Sequence, residues 1–430
     1  MTIGNATLPG KGLFRQVARR LALFFVVFGP ATITAMSDND ASGVATYSVA
    51  GATLGYPILF ALGIITILLA ITQEMGMRLT VVTNRGLADL IREKFGVRVS
   101  ILIFTALLIA NMGTIIGDMS AIRTTASLLN LPAIPSIIVL VVVIFFFVTR
   151  GNYKLTQSVM LLSCVFYLTY IISAISAKPD WGLALSNILW PHGVDFTPEY
   201  WRSYLIIGLG VLGTTITPWG QFFVSSFAFD KKIEARNLRY SQIETYIGAF
   251  LTDFFSFFMI VATASTLFIN KIVLVSGEQA ALAIKPFAGE AAGTLFALGI
   301  LNAGFMGIVV VSLSTAYAFS EFFGLSGGLN TSFKQSKTFY VIFLGQLLVA
   351  AVVVAFPKIN IFELVLTTQG INAAMLPLVF FYLISLASNR KIMGVHVNTK
   401  FQRSFALVGT VLITIAAIST VVISVFNLGK

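Results

Sequence analysis

Within "TAMSDNDASGVATYS", Thr34 to Ser48, two carboxylates and an amide follow one another as Asp38, Asn39 and Asp40, with Gly43 close behind. Both flanks are apolar: "LALFFVVFGPATI" ahead and "VAGATLGYPILFALGIITILLAI" after. A second interruption, "GTTITPWGQ" from Gly213 to Gln221, sits in another apolar run. There Thr214 and Thr217 bring hydroxyls, and Pro218 removes an amide donor and forces a helical break. Neither stretch holds Cys or His, and Met36, one turn ahead of the acids, is the one thioether beside them. Oxygen-only donor sets suit Mg²⁺, Ca²⁺ or Mn²⁺, whereas sulfur and imidazole select later transition metals. The chemistry on offer is coordination of a hard divalent cation.

The elements around these residues must be membrane helices. Hydrophobic residues make up 57% of the chain and charged ones only 10%, against about a quarter charged in soluble domains. A spanning helix needs about 20 mostly apolar residues. The chain offers eleven such spans, near 20–52, 56–83, 99–129, 132–149, 154–176, 203–228, 240–269, 291–323, 337–356, 359–386 and 403–427. No hydrophilic block is long enough for a soluble domain, so residues 1–430 read as a single all-α polytopic transport domain. The single cysteine, Cys164, reads as a small hydrophobe in a helix. The first apolar run follows a basic segment but lacks a small-residue cleavage site, so it reads as helix 1.

The net charge of +11 has a topological explanation. With the amino terminus placed in the cytoplasm, 21 of the 28 Lys and Arg fall on the cytoplasmic side and seven on the other. That bias over short loops follows the positive-inside rule, so nucleic acid is excluded as a partner. The expectation is a multi-pass plasma-membrane protein with its carboxyl terminus outside. The sequence sets no oligomeric state.

The two interrupted spans, 1 and 6, are five spans apart. Five-helix repeats over about 20–176 and 203–386 would therefore be inverted relative to each other, with helix 11 added at about 403–427. Paired broken helices in inverted halves mark a midplane binding site in secondary transporters. Each carboxylate at membrane depth costs about 2.5–3.5 kcal/mol on insertion scales and is functional by default. No Lys or Arg lies deep in any span to neutralise Asp38 and Asp40. An external cation is the expected partner.

At these residues the sequence resembles the Nramp family of divalent-metal transporters, which have a leucine-transporter-type fold. The resemblance is carried by "GPATITAMSDNDASGVAT" (Gly29–Thr46), "QEMGMRLTVVTNRGLADLIREKFG" (Gln73–Gly96), "GTTITPWGQFFVSS" (Gly213–Ser226) and "LPLVFFYLISLASNRKIMGVHVN" (Leu376–Asn398). It places Asp40 on the family's metal-binding aspartate. Departures are equally informative. The family's asparagine of the first break falls on Gly43, its metal-binding methionine on Thr217, and the histidine after the proline on Trp219. Asp118 matches the first acid of a helix 3 pair, but the second position is Ala121, and the helix 9 arginine has no counterpart. These departures resemble the Nramp-related magnesium transporters. The resemblance implies import of Mg²⁺, and of Mn²⁺, by alternating access without obligatory proton coupling.

The expected metal ligands are Asp40, Asn39, Asp38, Thr214, Thr217 and Gly43, and no resident cofactor is expected. Asp118, Trp219, Gln221, Asp253, Gln369 and Glu363 are assigned to the cation pathway or to support of the ligands. Glu74 and Glu321 sit at inner helix ends and read as interfacial groups, while His192 and His396 fall in loops. Competing readings are a proton-coupled Mn²⁺/Fe²⁺ transporter, a sodium-coupled amino-acid transporter and a cation channel. The acidic triplet suits a bare cation better than an organic substrate. An enzyme is not expected, since no nucleophile–base pair or ligating histidines are visible in the spans.

Overall fold

The computed structural model describes residues 24, 27–128, 131–272, 274, 289–356 and 361–425. Two short helices, α1 (Pro30–Ser37) and α2 (Ala41–Leu54), occupy the first expected span and are separated at Asp38–Asp40. Pro30 suits the first turn of α1, where its missing amide donor is not needed. α3 (Ile58–Thr83) leads to a short loop helix, α4 (Leu87–Phe95), and then to α5 (Val97–Leu128) and α6 (Ala133–Arg150). The fifth span is α7 (Tyr153–Ser163) and α8 (Leu168–Ser176), joined by a tighter turn at Cys164–Tyr167. After a loop helix, α9 (Trp181–Leu189), the second interrupted span follows as α10 (Pro198–Thr215) and α11 (Pro218–Asp230). α12 (Leu238–Thr263), α13 (Glu290–Phe323), α14 (Lys337–Ala355), α15 (Ile361–Ala387), α16 (Arg390–Met393) and α17 (Lys400–Val425) complete the order.

Ten spans among the described residues are long and apolar enough to cross a membrane. The α1–α2 pair, too short in either half to qualify alone, takes the place of the first crossing. Among the described residues there is no strand. Outward faces carry Leu102, Val139, Leu162, Phe381 and Leu412, all exposed, as a lipid-facing surface requires.

The broken spans lie at the centre. α1 and α2 pack on α12, α2 also packs on α10, and α11 packs on α3 and α13. Around them α5 pairs with α13, and α10 pairs with α15. The last contact is close: a Cβ at Gly213 would stand 2.0 Å from the Gln369 carbonyl oxygen. Glycine there lets two backbones meet beside the second break.

The loops assigned to the cation-rich side converge. Arg78 binds Glu74 through Nε (2.7 Å) and Nη2 (3.0 Å), and donates to the His396 carbonyl and to Asn398 Oδ1 (2.7 Å). Gln242 and Gln402 donate to the same Glu74 carboxylate, at 2.8 and 3.0 Å. This network fastens the end of α3 to α12 and α17. Lys231 Nζ reaches the Phe28 carbonyl at 2.5 Å, which fixes the entry to α1 against the end of α11. Breaking a buried ion pair leaves an uncompensated charge and costs about 3–5 kcal/mol. Arg78→Ala should therefore lower the Tm of the purified protein well beyond the effect of Arg85→Ala, whose ion pairs lie at the surface.

Candidate metal site

The first break is built by helix capping. Asp38 and Asn39 close tight turns onto the Ala35 and Met36 carbonyls (3.1 and 3.2 Å). The chain then extends at Asp40 (φ −64°, ψ 174°), whose Oδ1 accepts from Gly43 N at 2.6 Å as the N-cap of α2. Aspartate is among the favoured residues there because its oxygen satisfies an orphan amide. Asp118 on α5 performs a parallel task, its Oδ1 accepting from Ser42 N and Ser42 Oγ, both at 3.1 Å. Two carboxylates thus share the positive end of one helix dipole.

The second break repeats the logic with a hydroxyl. Thr217 is the N-cap of α11, its Oγ1 accepting from Gly220 N at 3.0 Å. The same hydroxyl donates to Asp38 Oδ1 at 2.8 Å, which ties the two interruptions together. Asp38 Oδ2 accepts from Gln73 Nε2 on α3 at 3.3 Å. Asp38, rather than Asp40, is the acid that meets Thr217. The reason is local: Asp40 folds back to cap its own helix, while Asp38 stands at the end of α1 facing α11.

In front of Gly43 lies a notch made of oxygen. A Cβ built on Gly43 would stand 2.7 Å from the Asp38 carbonyl, 2.9 Å from Thr214 Oγ1 and 3.3 Å from Asp40 Oδ1. Among the described residues no backbone N–H reaches the Asp38 carbonyl, and Thr214 Oγ1 is buried without a hydrogen-bond partner. Three acceptor-capable oxygens from three residues therefore surround the position a Gly43 side chain would take, a donor set of the type hard cations prefer. Behind them α13 approaches at Gly307, where a Cβ would meet Asp118 Oδ2 at 2.1 Å and Asp40 Cβ at 2.6 Å. Only glycine fits.

Other expected site residues are placed as follows. Asn39 turns away, its Nδ2 donating to Thr252 O and Oγ1 (2.9 and 3.0 Å) and its Oδ1 accepting from Ser256 Oγ (2.7 Å). Its side chain is satisfied by α12, while its carbonyl accepts from Tyr167 (3.0 Å). Trp219 is fully buried, its indole N–H lacks a partner, and its carbonyl accepts from Ser314 Oγ at 2.8 Å. Gln221 is buried with both amide atoms unpaired. Gln369 Oε1 accepts from Asn372 (3.0 Å), leaving Nε2 unpaired beside the α10–α15 contact. Asp253 is buried at a cavity between α3, α9 and α12. The Glu363 side chain lies outside the described residues.

Gln73, Ser42 and Gly307 join the site without having been singled out from the sequence. A neutral amide inside the apolar run of α3 was a usable signal for Gln73, masked by its neighbour Glu74, which belongs to the Arg78 network. Ser42 lies within the first polar stretch; Gly307 had no signal, because its role is to be absent. Asp38 and Asp40 are each 1% exposed, and every ion pair among the described residues lies elsewhere. No three His, Cys, Asp or Glu residues among those described stand close enough to hold a metal by themselves. An ion here would rely on few charges and on carbonyl, hydroxyl and water oxygens, as Mg²⁺ prefers when it keeps part of its hydration.

Comparison with known proteins agrees with this architecture. A protein curated as divalent metal cation transporter MntH, from Verminephrobacter eiseniae, is 22% identical over 419 residues, covering 93% of this chain and 91% of the relative. A protein of the same name from Granulibacter bethesdensis is 24% identical over 381 residues, covering 86% and 82%. The crystal structure of the Eremococcus coleocola manganese transporter with an aromatic bis-isothiourea compound superposes with a TM-score of 0.75 at 17% identity, over 97% of this chain and 87% of that one. A Na⁺-coupled sialic acid symporter superposes with a TM-score of 0.57 at 12% identity, over 94% and 95%. The architecture is the leucine-transporter type, with inverted repeats and interrupted helices 1 and 6. The family described as natural resistance-associated macrophage protein-like matches residues 31–423. The chain belongs to this Nramp family of divalent metal transporters.

Proposed function

We propose that the protein imports Mg²⁺, and Mn²⁺ as well, by alternating access without obligatory proton coupling. The observation that carries this reading is the oxygen notch at Gly43, formed by the Asp38 carbonyl, Thr214 Oγ1 and Asp40 Oδ1. A thioether favours Mn²⁺ and Fe²⁺ over the alkaline-earth ions, and the residue bridging the two breaks is instead the hydroxyl of Thr217. Gly43 adds no side chain between these oxygens. Trp219 offers an indole where a proton relay would need an imidazole, and Asp118 is engaged by Ser42 rather than by a basic partner. A divalent charge falling through 100 mV releases about 4.6 kcal/mol, so the membrane potential suffices as the driving force. The cation-rich face, with the Arg78 network, is the cytoplasmic one in the plasma membrane.

Proton-coupled Mn²⁺ transport is the second reading; its metal is the one named for the Eremococcus coleocola manganese transporter. The two are separated in proteoliposomes with internal metal and pH dyes. Mg²⁺ entry without internal acidification is expected; Mn²⁺ entry alone, accompanied by acidification, would overturn the proposal.

Three substitutions probe the site. Asp40→Ala should abolish uptake, since it removes a charge and the cap of α2 together. Gly43→Val should lower metal affinity by tenfold or more, measured by calorimetry on the purified protein, because its side chain fills the notch. Thr217→Met should shift selectivity toward Mn²⁺, at about 1 kcal/mol of stability for the lost cap, whereas Thr217→Ser should retain the wild-type preference. An unchanged ion preference in the methionine variant would count against the hydroxyl filter.

A further inference from the structure

Away from the breaks, a cavity of about 430 Å³ opens between α3, α9 and α12. Its walls include Leu62, Ile67, Leu185, Ile188 and Phe254, and its polar members are Thr66 and Asp253. Asp253 is 4% exposed, and neither carboxylate oxygen has a hydrogen-bond partner. Thr66, the polar neighbour of Asp253, lies with its hydroxyl 2.8 Å from the Leu62 carbonyl and brings no positive charge. Among the described residues no cationic side chain lines the cavity. None of the ion pairs among the described residues involves Asp253.

These features define an occupant. A buried acid in an apolar cavity is best matched by a positively charged donor, whose ammonium would pair with the carboxylate that the walls leave without a cationic partner. A metal ion does not fit, since the remaining walls carry no oxygen to replace its water. The volume is that of a small organic ligand. The rim is apolar and outward-facing, with Phe250 at 67%, Leu185 at 55% and Ile67 at 50% exposure, so entry is from the bilayer. Phenylalanine faces at the mouth attract cations as well as hydrocarbon. Asp253 also stands ten residues before the end of α12 at Thr263, about 15 Å along the axis, too deep for a lipid headgroup.

We infer that this cavity is a membrane-facing site for a small hydrophobic amine, its ammonium held by Asp253 and its apolar body by α3 and α9. The floor of the site adjoins the first break, because Thr252 and Ser256 on the same stretch of α12 hold Asn39.

The test is binding of radiolabelled phenylbutylamine to the full chain in lipid nanodiscs, with empty nanodiscs subtracted. It needs no transport, so its outcome is independent of the metal assignment. Saturable binding is expected, competed by unlabelled amine at least tenfold more strongly than by the uncharged phenylbutanol. Asp253→Asn should weaken binding at least tenfold. Gly63→Leu, which points a side chain toward Ile188 across the cavity, should do the same without altering any charge. Absence of saturable binding, or equal competition by the alcohol, would overturn the site, as would wild-type affinity in either variant recovered folded. The wild-type competition decides the matter even where a variant fails to fold.

Discussion

Backbone amides and carbonyls cannot be left bare in a membrane interior. This constraint governs the centre of the protein. Interrupting two spans exposes four helix ends, and each needs partners from outside its own helix. The N-terminal ends of α2 and α11 receive them from Asp40, Asp118 and Thr217. The caps are themselves oxygen donors of the type a hard cation takes. Groups that let the helices break are therefore the groups that can receive a cation, and neither role can be removed without disturbing the other.

The charge arrangement follows from the same economy of parts. Asp40 and Asp118 meet at the positive end of α2, so the half-helix dipole offsets some of their mutual repulsion. It does not neutralise them. Asp38, linked to Thr217 and Gln73, receives hydrogen bonds but no cationic side chain. Under the proposed function, that residual negative field would draw in a divalent ion without holding it permanently. A transporter requires that balance, because a cargo held by many charges would not be released.

In the proposed function, selectivity lies in what the side chains omit. Gly43 opens the notch, Gly307 lets α13 press against the two acids, and Thr217 offers oxygen where sulfur would favour softer metals. The likeness to a sialic acid symporter makes the same point from the other direction. One fold serves chemically unrelated cargoes.

The amino-acid order by itself determined the spans, the two interruptions and the cation-rich face, because each is a run-length or spacing property. It also limits the side-chain donors available at the breaks to oxygen, since no Cys, His or Met lies within either break. Tertiary structure decided which oxygens meet. Asp38 and Asp40 look equivalent in the sequence, yet a turn and a cap send one toward Thr217 and the other toward Gly43. Asn39 stands between them but is taken by Thr252 and Ser256, a contact across 213 and 217 residues of chain that no local pattern encodes. Gln73 and Gly307 belong to the site for the same reason: helix packing, not neighbourhood in the chain, brings them there.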